Sequence, residues 1–113
     1  MKTNDILDLE KFRTQLGNVK SKVFTGRDRG LDVRERSGID GLFDDNDIVT
    51  IKIPKDIYSI TPSFLEELFY NIVSKYGKSK FLEKVRWESN GYDINGPLDE
   101  AIERILQRKT GLD

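Results

Sequence analysis

A chain of 113 residues with 36% hydrophobic and 35% charged side chains has the size of one domain with one core. Its 19 lysines and arginines nearly balance 20 aspartates and glutamates, so the net charge of -1 gives no general pull towards nucleic acid or an anionic membrane. Cysteine and histidine are both absent, which excludes disulfides, zinc-thiolate sites, cysteine nucleophiles and a Ser-His-Asp arrangement within the chain.

The opening residues, MKTNDILDLEKF, carry acidic side chains and lack the apolar run of a signal peptide. No stretch approaches the ~20 apolar residues of a membrane span. A soluble, cytoplasmic protein is expected. Asp5 to Leu9 alternates partly and reads as a short strand, and Lys11 to Leu16 runs into a turn at Gly17-Asn18. Lys20 to Thr25 (KSKVFT) is a second predicted strand. Leu31 to Arg36 reads as a short helix ending near Gly38, and Asp44-Asp45-Asn46-Asp47 reads as a polar loop. Ile48 to Ile53, rich in Ile, Val and Thr and stopped by Pro54, is the best candidate for a central strand.

After Pro62 comes the strongest helical pattern, with Phe64, Leu65, Leu68, Phe69, Ile72, Val73 and Tyr76 on one broad face and Gly77 closing it. Pro62 fits the first turn of a helix, and it pushes Thr61 towards the extended conformation of an N-cap. Phe81 to Glu88 is a further predicted strand, bounded by Asn90-Gly91. Asn95-Gly96-Pro97 leads into a final amphipathic helix on Leu98, Ala101, Ile102, Ile105 and Leu106, with Arg108 and Lys109 suited to its C-terminal dipole. Helices alternating with strands predict an α/β layer with partly parallel central strands, in one domain over residues 1–113.

Three groups of residues are candidates for chemistry. Gly26-Arg27-Asp28-Arg29-Gly30 places two arginines where backbone N–H groups at a helix start hold an anion. Its glycine spacing matches neither a P-loop nor a dinucleotide fingerprint, so the first reading is a glycine turn with arginines on a solvated or partner-facing surface. Ser63 and Glu66 have capping-box spacing. Alternatively Thr61 caps the helix and Ser63 sits exposed on its first turn, where the helix dipole favours a phosphoryl group. Asp44, Asp45, Asp47, Glu66 and Glu67 match no calcium loop and read as solvated surface, so no metal and no cofactor are expected. Trp87 and Tyr92 flank a turn and read as a half-buried strand edge before they read as a stacking platform.

The order of elements, Gly26-Arg27-Asp28-Arg29-Gly30 with Val33-Arg34, and Ile60-Thr61-Pro62-Ser63-Phe64-Leu65-Glu66-Glu67-Leu68-Phe69 together resemble a STAS-like bacterial family of unknown function. That family is related to the STAS domain of anti-sigma-factor antagonists, and the resemblance covers nearly the whole chain. It implies a STAS-like sandwich: a small mixed sheet of about four to five strands with helices mainly on one face. STAS antagonists dock a GHKL-type ATPase/kinase and are phosphorylated on a serine in D-S-S-G-L at a helix start. Laid on that pattern, Ser63 and Leu65 are kept while Thr61, Pro62 and Phe64 depart.

What the resemblance implies for function is a non-enzymatic regulatory domain that binds a protein partner, such as an ATPase/kinase encoded nearby, without nucleic acid or membrane. Thr61, Ser63, Glu66, Glu67 and Arg34 would face the partner, with Ser63 the candidate phosphoacceptor. The alternative is a nucleotide or small-anion module using Gly26, Arg27, Arg29 and Gly30. An enzyme is least expected, because no pair of the available side chains has a diagnostic spacing.

Overall fold

The computed structural model of the protein describes residues 3–89 and 91–110. Met1, Lys2 and Asn90, which entered the N-terminal and turn readings, lie outside the described residues. The chain opens with β1 (Asn4–Asp8) and a 3-10 turn (Leu9–Phe12). A hairpin of β2 (Gln15–Leu16) and β3 (Val19–Lys20) follows, then β4 (Val23–Phe24). Next come α1 (Arg27–Ser37), α2 (Ile39–Asp45), β5 (Ile48–Lys52) and β6 (Ser59–Ile60). The chain finishes with α3 (Pro62–Lys84), β7 (Val85–Glu88) and α4 (Asn95–Thr110). This is the expected α/β class. No helix among the described residues is long and apolar enough to cross a membrane.

β5 is the central strand, as its composition suggests, in a sheet ordered β1-β5-β7 with both neighbours parallel to it. Side chains alternate across a strand, so the register puts Leu7, Ile51 and Trp87 on one face beside Val49 and Val85. α2 and α3 pack on β5, whose Val49 and Ile51 are fully buried. The other face carries Ile6, Thr50 and Arg86 in one row and Asp8, Lys52 and Glu88 in the next. Ile6 is more than half exposed there. Side chains also occupy backbone groups on both edge strands: the Asp5 carboxylate accepts from the Ile6 N–H, and Arg86 donates to the Val85 carbonyl. Such devices discourage pairing with another chain.

The strands do not join into one mixed sheet of four to five. β4 and β6 pair in parallel with each other alone, and β2 with β3 form a separate antiparallel ladder. Each of these strands is two residues long, and the Gly17-Asn18 turn commits β2 and β3 to local pairing. The β4–β6 ladder still has a consequence, because its two strands lead directly into α1 and α3.

Helix boundaries differ from expectation in three places. α1 begins at Arg27 instead of Leu31, with Gly26 (φ 87) as an N-cap that makes no side-chain hydrogen bond. α2 was not expected, and it absorbs Asp44 and Asp45, so the loop shrinks to Asn46-Asp47. α3 leaves helical geometry at Gly77 (φ 81, ψ 167) but resumes and runs to Lys84, so the strand expected from Phe81 starts at Val85. Packing explains that override: Phe81 is fully buried against Phe69 (4.9 Å) and Phe43 (5.8 Å), and Lys84 donates to the Asn46 carbonyl at 2.7 Å. Gly38 (φ 65, ψ 30) ends α1 as expected and opens α2.

Gly30 lies inside α1, where helix propensity alone disfavours glycine. A Cβ at this position would stand 2.3 Å from the Phe64 carbonyl oxygen and 3.0 Å from the Glu67 Cβ. Only the missing side chain lets α1 cross α3 this closely.

Arg13 ties the N-terminal hairpin to the loop before β6. Its buried guanidinium donates to the Ser21 carbonyl, Glu10 and Asp56. Hydrogen bonds from Arg13 hold the Asp56 pKa below its usual value, and the bond from Lys20, with help from Arg13, does the same for Glu10. The bonds from Tyr76 and Lys75 likewise lower Asp44. Depressed carboxylate pKa values contribute stability that is present above the unfolded-state pKa and lost as pH falls through the folded one.

Two outcomes are expected. Gly30→Ala lowers stability by about 1–3 kcal/mol through the backbone clash, although alanine is the better helix former. Gly41→Ala, with nothing within 4 Å of its Cβ, raises stability by about 0.5–1 kcal/mol. Denaturant melts of both variants decide, and a neutral Gly30→Ala would refute the close approach. Second, the melting temperature stays level towards about pH 5 and drops below about pH 4, and the drop is shallower in Arg13→Ala. An unchanged acid slope in that variant would show that Arg13 does not hold these carboxylates.

Candidate functional site

Thr61 is the N-cap of α3: extended at φ -85 and ψ 154, its Oγ1 accepts from the Phe64 N–H at 3.4 Å. The same oxygen accepts from the Gly26 N–H at 3.2 Å, and the Thr61 N–H donates to the Phe24 carbonyl at 3.0 Å. One threonine therefore stitches the start of α1 to the start of α3. Because Thr61 caps the helix, Ser63 sits on the first turn with its hydroxyl outside the capping arrangement, where it accepts from Arg104 Nη1 at 3.1 Å.

Glu66, one turn further along, is completely buried (0% exposed) and is surrounded by arginines from two other helices. Arg108 of α4 donates to its Oε2 at 2.7 Å and to Glu67 Oε1 at 2.8 Å. Glu66 Oε1 makes no hydrogen bond, although Arg27 Nη2 lies 3.6 Å away and Arg104 Nη1 3.8 Å away. Arg34 of α1 donates to the Glu67 carbonyl at 2.9 Å. On α4, Glu100, Arg104 and Arg108 follow one another at helical spacing, and Glu100 accepts from Arg104. Arg108 also lies over the Tyr70 ring at 4.3 Å. Burial works against its charge, but the hydrogen bonds it donates to Glu66 and Glu67 outweigh that and raise its pKa.

The structure thus gathers Arg27, Arg34, Thr61, Ser63 and Glu67 around one surface between α1, α3 and α4. Glu66, expected on a solvated face turned to a partner, is instead fully buried beneath it, because three arginines close over its carboxylate. Arg29 points elsewhere, bonded to Asp32 and to the Phe12 carbonyl. Gly26 and Gly30 do not bracket a loop: one is the helix cap and the other is packed on α3. Arg104 and Arg108 were missed as members of this surface. Their signal was the four-residue spacing Glu100, Arg104, Arg108 on the polar flank of the last helix, of which only Arg108 was read, with Lys109, as a dipole complement. Tyr92 and Trp87 are structural: the Tyr92 hydroxyl accepts from the Ile60 N–H at 2.8 Å, and Trp87 meets the Phe69 edge at 5.9 Å.

No cluster of three or more acidic side chains placed to hold a metal ion occurs among the described residues. A depression of about 420 Å³ lies apart from the arginine cluster, at the carboxyl ends of β1, β5 and β7. Comparison with family models, with characterised proteins and with solved structures finds no match to this chain.

Removing one partner from a buried ion pair leaves an uncompensated charge, which costs on the order of 3 kcal/mol. Arg108→Ala, which leaves the fully buried Glu66 carboxylate without its hydrogen-bond donor, is expected to destabilise by about that much, and a double-mutant cycle with Glu66→Ala to show clear coupling. The exposed Glu10–Lys20 pair should couple by less than about 1 kcal/mol. Equal coupling for the two pairs in urea unfolding would remove the special status of Glu66.

Proposed function

We propose that this chain is a non-enzymatic regulatory domain, of the STAS-like kind its motifs resemble, that docks a signalling partner through the surface where α1, α3 and α4 meet. The observation that carries this reading is the state of Ser63. Its hydroxyl is on the first turn of α3, unused by the cap, half-buried and beside Arg104, with Arg27 and Arg108 gathered around Glu66. A phosphoryl group on Ser63 would meet the positive end of the helix dipole and a guanidinium already in place. It would also compete with Glu66 and Glu100 for Arg104, so modification would change the charge pattern that a partner meets. A GHKL-type ATPase/kinase encoded nearby is the partner class this reading favours.

The test is to incubate the purified chain with such an ATPase and ATP. A complex by size exclusion is expected, with the mass gain of one phosphoryl group that Ser63→Ala abolishes. Ser63→Asp is expected to weaken the complex about tenfold, the cost of one disturbed charged hydrogen bond. Neither complex nor mass gain would sink the reading.

A further inference from the structure

The arginines around Glu66 are held in an unusual way. Arg27 is 60% exposed, and its single ion pair among the described residues, to Glu66 Oε1, is 3.6 Å long with no hydrogen bond. A guanidinium carries five N–H donors in a rigid fork, so Arg27 is placed by charge while its donors stay open. Arg104 is 39% exposed and holds Ser63 and Glu100, an exposed pair one helical turn apart. Pairs of that kind contribute little and exchange readily. Beneath both lies a carboxylate that cannot leave, because Glu66 is fully buried and anchored by Arg108. Counting the cluster, Arg27, Arg34, Arg104 and Arg108 face Glu66, Glu67 and Glu100, one cation more than the carboxylates.

We infer that the partner presents a phosphate monoester on a peptide segment, and that this group seats on Arg27 and Arg104. The inference rests on the docking reading above and names the chemistry that would be recognised. A carboxylate arriving here would exchange like for like with Glu100. A phosphate brings close to two negative charges and three acceptor oxygens, so it fills the open Arg27 fork and outcompetes Glu100 for Arg104. The Glu66 carboxylate offsets the repulsion between the two guanidinium groups and presents them as a pair. Recognition of phosphorylated segments by arginine clusters is a general mode of peptide binding.

The experiment is an NMR titration of the full chain, following arginine Nε–Hε signals, with four probes: glycyl-phosphoseryl-glycine, its unphosphorylated form, glycyl-glutamyl-glycine and inorganic phosphate. The phosphopeptide is expected to shift Arg27 and Arg104 saturably, and more tightly than the other three. Arg27→Ala and Arg104→Lys each weaken it about tenfold, the latter keeping the charge but losing the fork. Arg36→Ala, whose arginine pairs with Asp32 on the exposed side of α1, leaves it unchanged. Three results would overturn the inference: no saturable shift, equal affinity for inorganic phosphate or the glutamyl peptide, or full binding in both variants. Should the peptide fail while the ATPase complex forms, the phosphate is wrong and the docking surface stands. A peptide response in a chain that forms no such complex supports phosphate recognition and rejects the ATPase as its partner.

Discussion

Much of this fold depends on how closely one backbone approaches another, where Gly30 of α1 crosses the Phe64 carbonyl of α3. Helices pack at a distance set by the side chains at their contact, and a missing Cβ permits the shortest separation. That separation brings Arg27 and Arg34, seven residues apart on α1, within reach of Glu66 and Glu67 on α3. The parallel β4–β6 ladder fixes the helix starts side by side, and Thr61 locks them through its hydroxyl. A bulkier residue at position 30 would part the helices and with them the charges.

The burial of Glu66 is harder to account for by stability. Taking a carboxylate out of water costs several kcal/mol, and the Coulombic return often no more than offsets it. An apolar side chain at position 66 would join Leu65 and Phe69 in a core that already holds five fully buried phenylalanines. The carboxylate alone is fully buried, while Arg27, Arg104 and Arg108 reach it from α1 and α4 with their outer parts exposed, so it links three helices and sets where those arginines emerge.

Much of this was legible in the sequence, for identifiable reasons. The central strand β5 declared itself by its β-branched run, α3 by Pro62 after a capping threonine, and α4 by its apolar periodicity. β4 lies within the strand expected over Lys20 to Thr25, but the two-residue strands β2, β3 and β6 escaped, because two residues carry no period to read. Helix α2 escaped for a related reason: its buried contribution is Ile39 and Phe43 alone, one turn apart. The glycines of GRDRG were misjudged because both look like loop residues locally. Gly26 is one, whereas the reason for Gly30 lies in Phe64, distant in sequence. Arg104 and Arg108 could not be joined to Glu66 before the α3–α4 packing was known, since neither charge spacing nor composition reports a tertiary neighbour.

The identity of the capping residue decides what Ser63 can do. If Ser63 had been the cap, its oxygen would have been spent on a backbone N–H, and a substituent there would have broken the helix start. Thr61 takes that duty, and its β-branched side chain is already directed at two N–H groups. Proline at the next position needs no partner for a missing donor. The serine oxygen is thereby released to the side of the helix that faces α4, where it finds Arg104. A residue freed from structural duty, next to arginines held in place by a buried carboxylate, can change its chemistry without unfolding the element that carries it. That separation of duties, threonine for the fold and serine for the surface, leaves Ser63 outside the cap and in contact with Arg104.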